Sequence, residues 1–100
     1  MTKPRRKRVR RNNTTRRYDD KKYTAWRKAV RKRDGGKCQW PTCERRRPLH
    51  VHHIRKWAKH PLLRYNVNNG ICLCSTHHKL TYRKEERYEL MFYRIVLRNT

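Results

Sequence analysis

Leu49-His50-Val51-His52-His53-Ile54 and, further on, Asn69-Gly70-Ile71-Cys72-Leu73-Cys74-Ser75-Thr76-His77-His78-Lys79 decide how this chain is read. Each stretch carries a pair of adjacent histidines, and the second adds cysteines beside them. Imidazole binds divalent cations and exchanges protons near neutral pH, while thiolates hold zinc. Donors this dense point to metal chemistry, and the rest of the chain has to be arranged around it.

Composition narrows what that chemistry serves. The 100 residues make one domain at most, and with 34% hydrophobic and 37% charged residues the core must be small. A domain of that size usually needs a metal ion or disulfides to hold it. Thirty Lys plus Arg against seven Asp plus Glu leave a net charge of +23. Such a charge repels itself in a compact state unless a polyanion neutralises it, so the expected partner is nucleic acid, DNA first. A membrane partner is not expected, because no long apolar run or strongly amphipathic basic helix accompanies the charge. No apolar stretch follows the basic N-terminus, so the chain is expected to be intracellular rather than secreted. In a reducing compartment four cysteines with six histidines suggest metal binding before disulfides, a secreted two-disulfide scaffold being the alternative.

Along the chain, residues 1–22 hold a run of cations from Lys3, Arg5 and Arg6 to Lys21 and Lys22 with almost no apolar residue. This arm is expected to be disordered when free and to lie along phosphates. Residues 23–100 read as a single domain. Tyr23, Trp26 and Val30 stand at helical spacing, and Asp34-Gly35-Gly36 ends that helix. Cys38-Gln39-Trp40-Pro41-Thr42-Cys43 reads as a knuckle, with Pro41 and Thr42 in its turn. Pro48 to Ile54 predicts a strand, 55–68 a long loop, Gly70 to Leu73 a second strand, and Ser75 the start of a helix. Tyr88, Met91 and Ile95 repeat on one stripe, with Leu90 and Leu97 beside it, giving a C-terminal helix. The fold class is therefore small α+β: a hairpin followed by a helix, with ligands on both.

Cys38, Cys43, Cys74 and His77 give a plausible closed set of three sulfurs and one imidazole for a structural Zn2+. Binding free energy at such a site substitutes for the missing core, so the apo chain should be largely unfolded. Cys72 competes for the place of Cys74 or His77. A Cys-x-x-His pair at a helix start favours Cys74, leaving Cys72 as a small buried hydrophobe. Neighbours on a helix project about 100° apart, so a His77 that faces the zinc leaves His78 for another site. Phosphodiester hydrolysis needs a base for water and a cation for the phosphate. His52 and His78 would be ligands of an open catalytic ion, Mg2+ or Mn2+ with Zn2+ or Ni2+ also acceptable, and His53 the base. Because successive strand residues point to opposite faces, His52 and His53 can share a site only through a bulge or twist, or at the strand's edge.

At these residues the chain resembles the HNH nuclease family, on the His-His-Ile triplet, Asn69 five residues before Cys74, and the Cys-x-x-His-His-Lys run. The resemblance runs from about Trp26 to Lys84 and implies a treble-clef-like ββα-metal fold and a DNA endonuclease leaving a 5′-phosphate and a 3′-hydroxyl. By position it implies His52 and His78 as catalytic metal ligands, His53 as general base, and Asn69 as the residue bracing the loop and helping to orient that base. The stretches Ile54-Arg55-Lys56-Trp57 and Pro61-Leu62-Leu63-Arg64 look like small phage-encoded HNH proteins. That implies a genome-processing or mobile-element setting, in the host cytoplasm, with association with phage packaging machinery among the expectations. Cutting both strands would need a dimer or successive nicks. Arg55, Lys56, Arg64, Lys79, Arg83 and Lys84 flank the site as phosphate contacts. Trp57 reads as core rather than as a base-stacking residue. The alternative is a non-catalytic zinc-ribbon protein that coats DNA or RNA.

Overall fold

A computed structural model describes residues 20–100. Most of the arm expected over 1–22 lies outside them, and its last residues belong to the first helix, α1, which spans Asp20–Arg33. α1 ends as its glycines require. Gly36 N–H donates to the Arg31 carbonyl at 2.9 Å and Gly35 N–H to that of Lys32 at 3.2 Å, with both glycines at φ near +70°. This is the Schellman arrangement, open to residues without a Cβ.

Two strands follow, β1 (Leu49–His53) and β2 (Gly70–Cys74), paired antiparallel from Leu49 opposite Cys74 to His53 opposite Gly70. Then come α2 (Ser75–Leu80) and α3 (Glu85–Asn99). The chain is thus a small α+β structure with one two-stranded sheet. The segment 55–68, expected as a plain loop, is punctuated by two 3-10 turns at Pro61–Leu63 and Val67–Asn69.

Helices cover both faces of the hairpin, which is why every residue of β2 is buried. On one face Cys72 packs with Trp26 and Val30 of α1. On the other, Ile71 and Leu73 pack with Phe92, Ile95 and Val96 of α3. The apolar stripe of α3 differs in membership from its sequence reading. Phe92, Ile95 and Val96 are buried, Tyr88 and Met91 only partly so, and Leu90 and Leu97 face water at 63% and 75% exposure. Steps of three and four residues put Phe92 between Tyr88 and Ile95 on the inner face.

A buried ionic knot ties the layers together. Asp34 accepts two bonds from Arg33, at 2.8 and 3.0 Å, one from the backbone N–H of Cys72 at 2.9 Å and one from the Asn99 amide at 3.0 Å. Arg33 also donates to the carbonyls of Val67 and Gly70. A buried pair satisfied on both sides specifies position, and truncating either partner strands a charge.

Gly70 is the close-approach point between α1 and the hairpin. A Cβ there would lie 2.6 Å from Cζ2 of Trp26 and 2.7 Å from Cγ2 of Val30. Gly70→Ala is therefore expected to lower stability by about 1–3 kcal/mol through overpacking. Urea melts read this, and adding Val30→Ala should return part of the loss; an unchanged midpoint would contradict the tight contact. Among the described residues no helix is long and apolar enough to cross a membrane.

Candidate functional site

The knuckle forms as the sequence suggests. Cys43 N–H closes a turn onto the Trp40 carbonyl at 2.9 Å, with Pro41 and Thr42 between them and Thr42 at φ +67°. Proline followed by a positive φ is the pattern of a type II turn. It returns Cys43 towards Cys38, while Cys74 ends β2 and His77 sits in α2. The donor atoms of Cys38, Cys43, Cys74 and His77 all lie within 4.8 Å of one another. His77 Nδ1 is 3.6 Å from Cys38 Sγ and 3.3 Å from Cys74 Sγ. A tetrahedral ion with sulfur at about 2.3 Å and nitrogen at about 2.0 Å sets such donors roughly 3.5 Å apart. These four residues could hold a structural metal ion.

The thiols are not equivalent. Burial pushes Cys38 up to about 11, so binding an ion there must expel a proton. At Cys74 burial acts in the same direction, but the backbone N–H groups of His77 and Thr76 and the Cys38 and Cys43 thiols outweigh it and hold the thiol below its ordinary range. Trp40 stacks flat on the His77 ring, 4.7 Å between centroids and 1° between planes, fixing its orientation. Cys72 takes no part in this cluster. Burial, then the charge of Asp34, push its thiol up to about 12, and it behaves as a small apolar side chain against α1.

His78 points away from the cluster and meets the histidines of β1. Its ring lies 5.4 Å from that of His52 at 72°, and His50 stacks on it at 4.9 Å. His52 is 6% exposed, and its Nε2 has no hydrogen-bond partner. A buried nitrogen left unpaired is costly, and a cation facing its lone pair would satisfy it. Burial, with repulsion from His78, holds His52 down at about 4. Burial and then His50 lower His78 as well, while the Glu85 carboxylate raises both. Two neutral imidazoles are the ligand form, so the pair fits a divalent cation with its remaining positions open. The Cys38, Cys43, Cys74 and His77 set is nevertheless the one group of three or more close donors among the described residues.

His53 occupies the opposite face. Its ring stacks on Trp26 at 4.0 Å and 12°, and Trp57 meets its edge at 5.5 Å. Nε2 lies 2.9 Å from the Arg64 carbonyl, which can only accept, so Nε2 carries the hydrogen and Nδ1 keeps the lone pair. Burial lowers the His53 pKa, against the Arg64 carbonyl, which raises it, and the ring is held neutral. The ladder runs through His52 and His53 without a bulge. The pleat thus sends the two side chains to opposite faces, His52 towards His78 and Phe92 and His53 towards Trp26 and Trp57.

Asn69, 2% exposed, uses its whole amide on the loop. It donates to the carbonyls of Arg55 at 3.1 Å and Leu63 at 3.2 Å, and accepts from Arg55 N–H and the Tyr93 hydroxyl, both at 2.8 Å. None of these bonds reaches His53; Asn69 holds Leu63, whose neighbour Arg64 supplies the carbonyl that fixes His53.

The flanking cations divide. Arg64 folds back, bonding the Trp57 carbonyl at 2.7 Å and lying 4.5 Å over its ring, so it braces the loop and leaves Trp57 half-buried. Arg55 pairs with Glu89 at 3.6 Å and Lys56 with Glu85 at 3.7 Å. Lys79, Arg83 and Lys84 are exposed. Sequence reasoning did not single out His50, Glu85 or Tyr93, nor Trp26 as the cover of His53. His50 was legible in principle, since residues two apart on a strand share a face.

The depressed His52 makes stability depend on pH. Unfolded, the ring titrates near 6.5, and folded near 4, so on acidification the unfolded chain takes the proton first. The contribution is fully present above about 6.5 and is lost progressively down to about 4, amounting to roughly 3 kcal/mol at about 1.4 kcal/mol per pH unit. Melts of wild type and His52→Gln across that window should converge by this amount; parallel curves would count against a neutral buried ring. Compared with known proteins, the chain matches no family model, no curated protein and no solved structure.

Proposed function

We propose that the chain is a metal-dependent DNA endonuclease of HNH type, in which the hairpin and α2 form a ββα-metal module around the His52–His78 pair. The observation that carries this reading is the buried, unpartnered Nε2 of His52, whose ring lies 5.4 Å from that of His78. The neutral His53, whose free nitrogen is Nδ1, supports it. Cys38, Cys43, Cys74 and His77 would hold a structural zinc, the ion their soft donors favour.

A divalent cation held by His52 and His78 would supply Lewis-acid stabilisation of charge on the phosphate and the leaving oxygen. His53 Nδ1 takes the proton from the attacking water, and the Arg64 carbonyl keeps the ring in the tautomer that can accept it. Trp26 and Trp57 restrict the ring to one orientation, so little entropy is lost on reaching the transition state. Asn69 holds the loop that carries Arg64. The net charge of +23 draws the chain onto the DNA backbone, with binding that weakens steeply as salt rises.

The test is conversion of supercoiled plasmid to nicked or linear DNA by zinc-loaded protein with added Mg2+, Mn2+ or Ni2+, stopped by chelation and restored by the metal. The same preparation should hold one tightly bound zinc and one weakly bound, exchangeable cation. Absence of cutting with every metal, together with DNA binding and a single saturated zinc, would leave the zinc-ribbon binding protein as the correct reading.

A further inference from the structure

A second charged feature lies beside the histidine pair. A cleft of about 400 Å³ opens between the loop after β1, which supplies Lys56 and Lys59, and the link into α3 with its first turn, which supply Arg83, Lys84 and Arg87. Glu85 and Glu86 line it too. Lys56 is paired with Glu85 at 3.7 Å, but Lys59, Arg83, Lys84 and Arg87 make no ion pair among the described residues. Four like charges converging on one concavity repel one another, and an anion seated between them would relieve that repulsion. His78 lies in α2, and its ring meets that of Tyr82 at 5.5 Å, immediately before Arg83 and Lys84 of the cleft, so the cleft adjoins the proposed catalytic pair.

We propose that this cleft is a phosphate subsite for the DNA backbone, receiving phosphates of the bound strand outside the bond that is cut. The inference rests on the nuclease reading for its place relative to the scissile bond, and on the cleft alone for its ligand. Five of the seven lining residues are lysine or arginine, on two separate segments, against the carboxylates of Glu85 and Glu86, and none is aromatic or apolar. Such a lining grips backbone charge without reading bases. Lys59 and Arg87, which flanking position in the sequence does not mark, line it from separate segments and are the informative residues. Their contacts position the strand and take no part in the proton transfer.

The experiment compares zinc-loaded wild type with Lys59→Ala/Arg87→Ala and with Arg94→Ala/Arg98→Ala. The last removes equal charge from the far end of α3, outside the cleft. Duplex binding is followed by fluorescence anisotropy across salt concentrations, and hydrolysis of plasmid and of bis-p-nitrophenyl phosphate is measured in parallel. Loss of the cleft pair is expected to lower the slope of log affinity against log salt by about 1 to 2, at about 0.9 for each phosphate neutralised. It should raise KM for DNA severalfold with kcat retained, and leave turnover of the small phosphodiester unchanged. The control pair should move the slope by less than half as much. Equal slopes for the two double variants would overturn the subsite, as would a fall in turnover of the small ester with no change in DNA affinity. A wild type that hydrolyses neither substrate would refute the nuclease reading instead, while the binding comparison would still decide the cleft.

Discussion

Removing the ion that Cys38, Cys43, Cys74 and His77 could hold is expected to abolish cooperative folding. Structural zinc in small domains is bound with apparent free energies on the order of 10–16 kcal/mol, at least as large as the roughly 5–15 kcal/mol stability of a whole domain. The four donors come from the knuckle and from the junction of β2 with α2, so an ion there would clamp the knuckle to the hairpin beside the backbone bond from Gln39 N–H to the Cys72 carbonyl. Cys38 and Cys74 also belong to the cluster containing Phe92, Ile95 and Val96, so losing the ion loosens the core that seats α3. A strong chelator, or Cys74→Ser, should give a chain with no sigmoidal melt by circular dichroism and no bound zinc. Cys72→Ala is the control, expected to cost no more than about 1–2 kcal/mol because only a small apolar contact is lost. A chelated chain that still melts cooperatively at the wild-type temperature would show that the apolar clusters suffice.

What the sequence disclosed depended on how local each determinant was. The Schellman end of α1 and the turn at Pro41-Thr42 are set by a few adjacent residues, and both formed where glycine and proline place them. Cys72 and Cys74 share a strand face by alternation and were separable only because the Cys-x-x-His spacing at a helix start pairs Cys74 with His77. The stripe on α3 was harder. Tyr88, Met91 and Ile95 fit the helical period, but which of Leu90, Phe92 and Leu97 turns inward depends on how α3 is seated against β2, and Phe92 won.

The surroundings of the histidines were the least legible, since they come from residues distant in sequence. Trp26 reaches His53 from α1, and Tyr93 reaches Asn69 from α3, both from outside or at the border of the hairpin-and-helix motif. Arg64 was expected on phosphate because arginine beside a site is usually read as a contact. Its guanidinium instead lies on Trp57, a position no spacing rule would reveal. Charge in the sequence therefore does not distinguish a cation that braces the protein, as Arg64 does, from one that stands in solvent, as Lys79 does.

The second large effect concerns His53, whose loss should separate chemistry from binding. A positioned base contributes about 10²–10⁴ to rate, so His53→Ala is expected to lower kcat for plasmid cleavage by that factor. DNA affinity should hold, because the ring lies under Trp26 and Trp57 and carries no charge at neutral pH. His78→Ala should also stop cutting, but by a different route, through loss of the exchangeable cation, read as loss of Mn2+ binding in electron paramagnetic resonance. The two variants can thus be told apart. His53→Ala keeps its metal and leaves a slot beside Trp26 of imidazole size, so added imidazole should restore part of kcat in it and none in His78→Ala. Since His53 packs on Trp26, folding of the variant must first be verified by its melt. A folded His53→Ala that cuts at the wild-type rate would remove this residue from the chemistry, and a folded variant that loses DNA affinity instead would make His53 part of the binding surface.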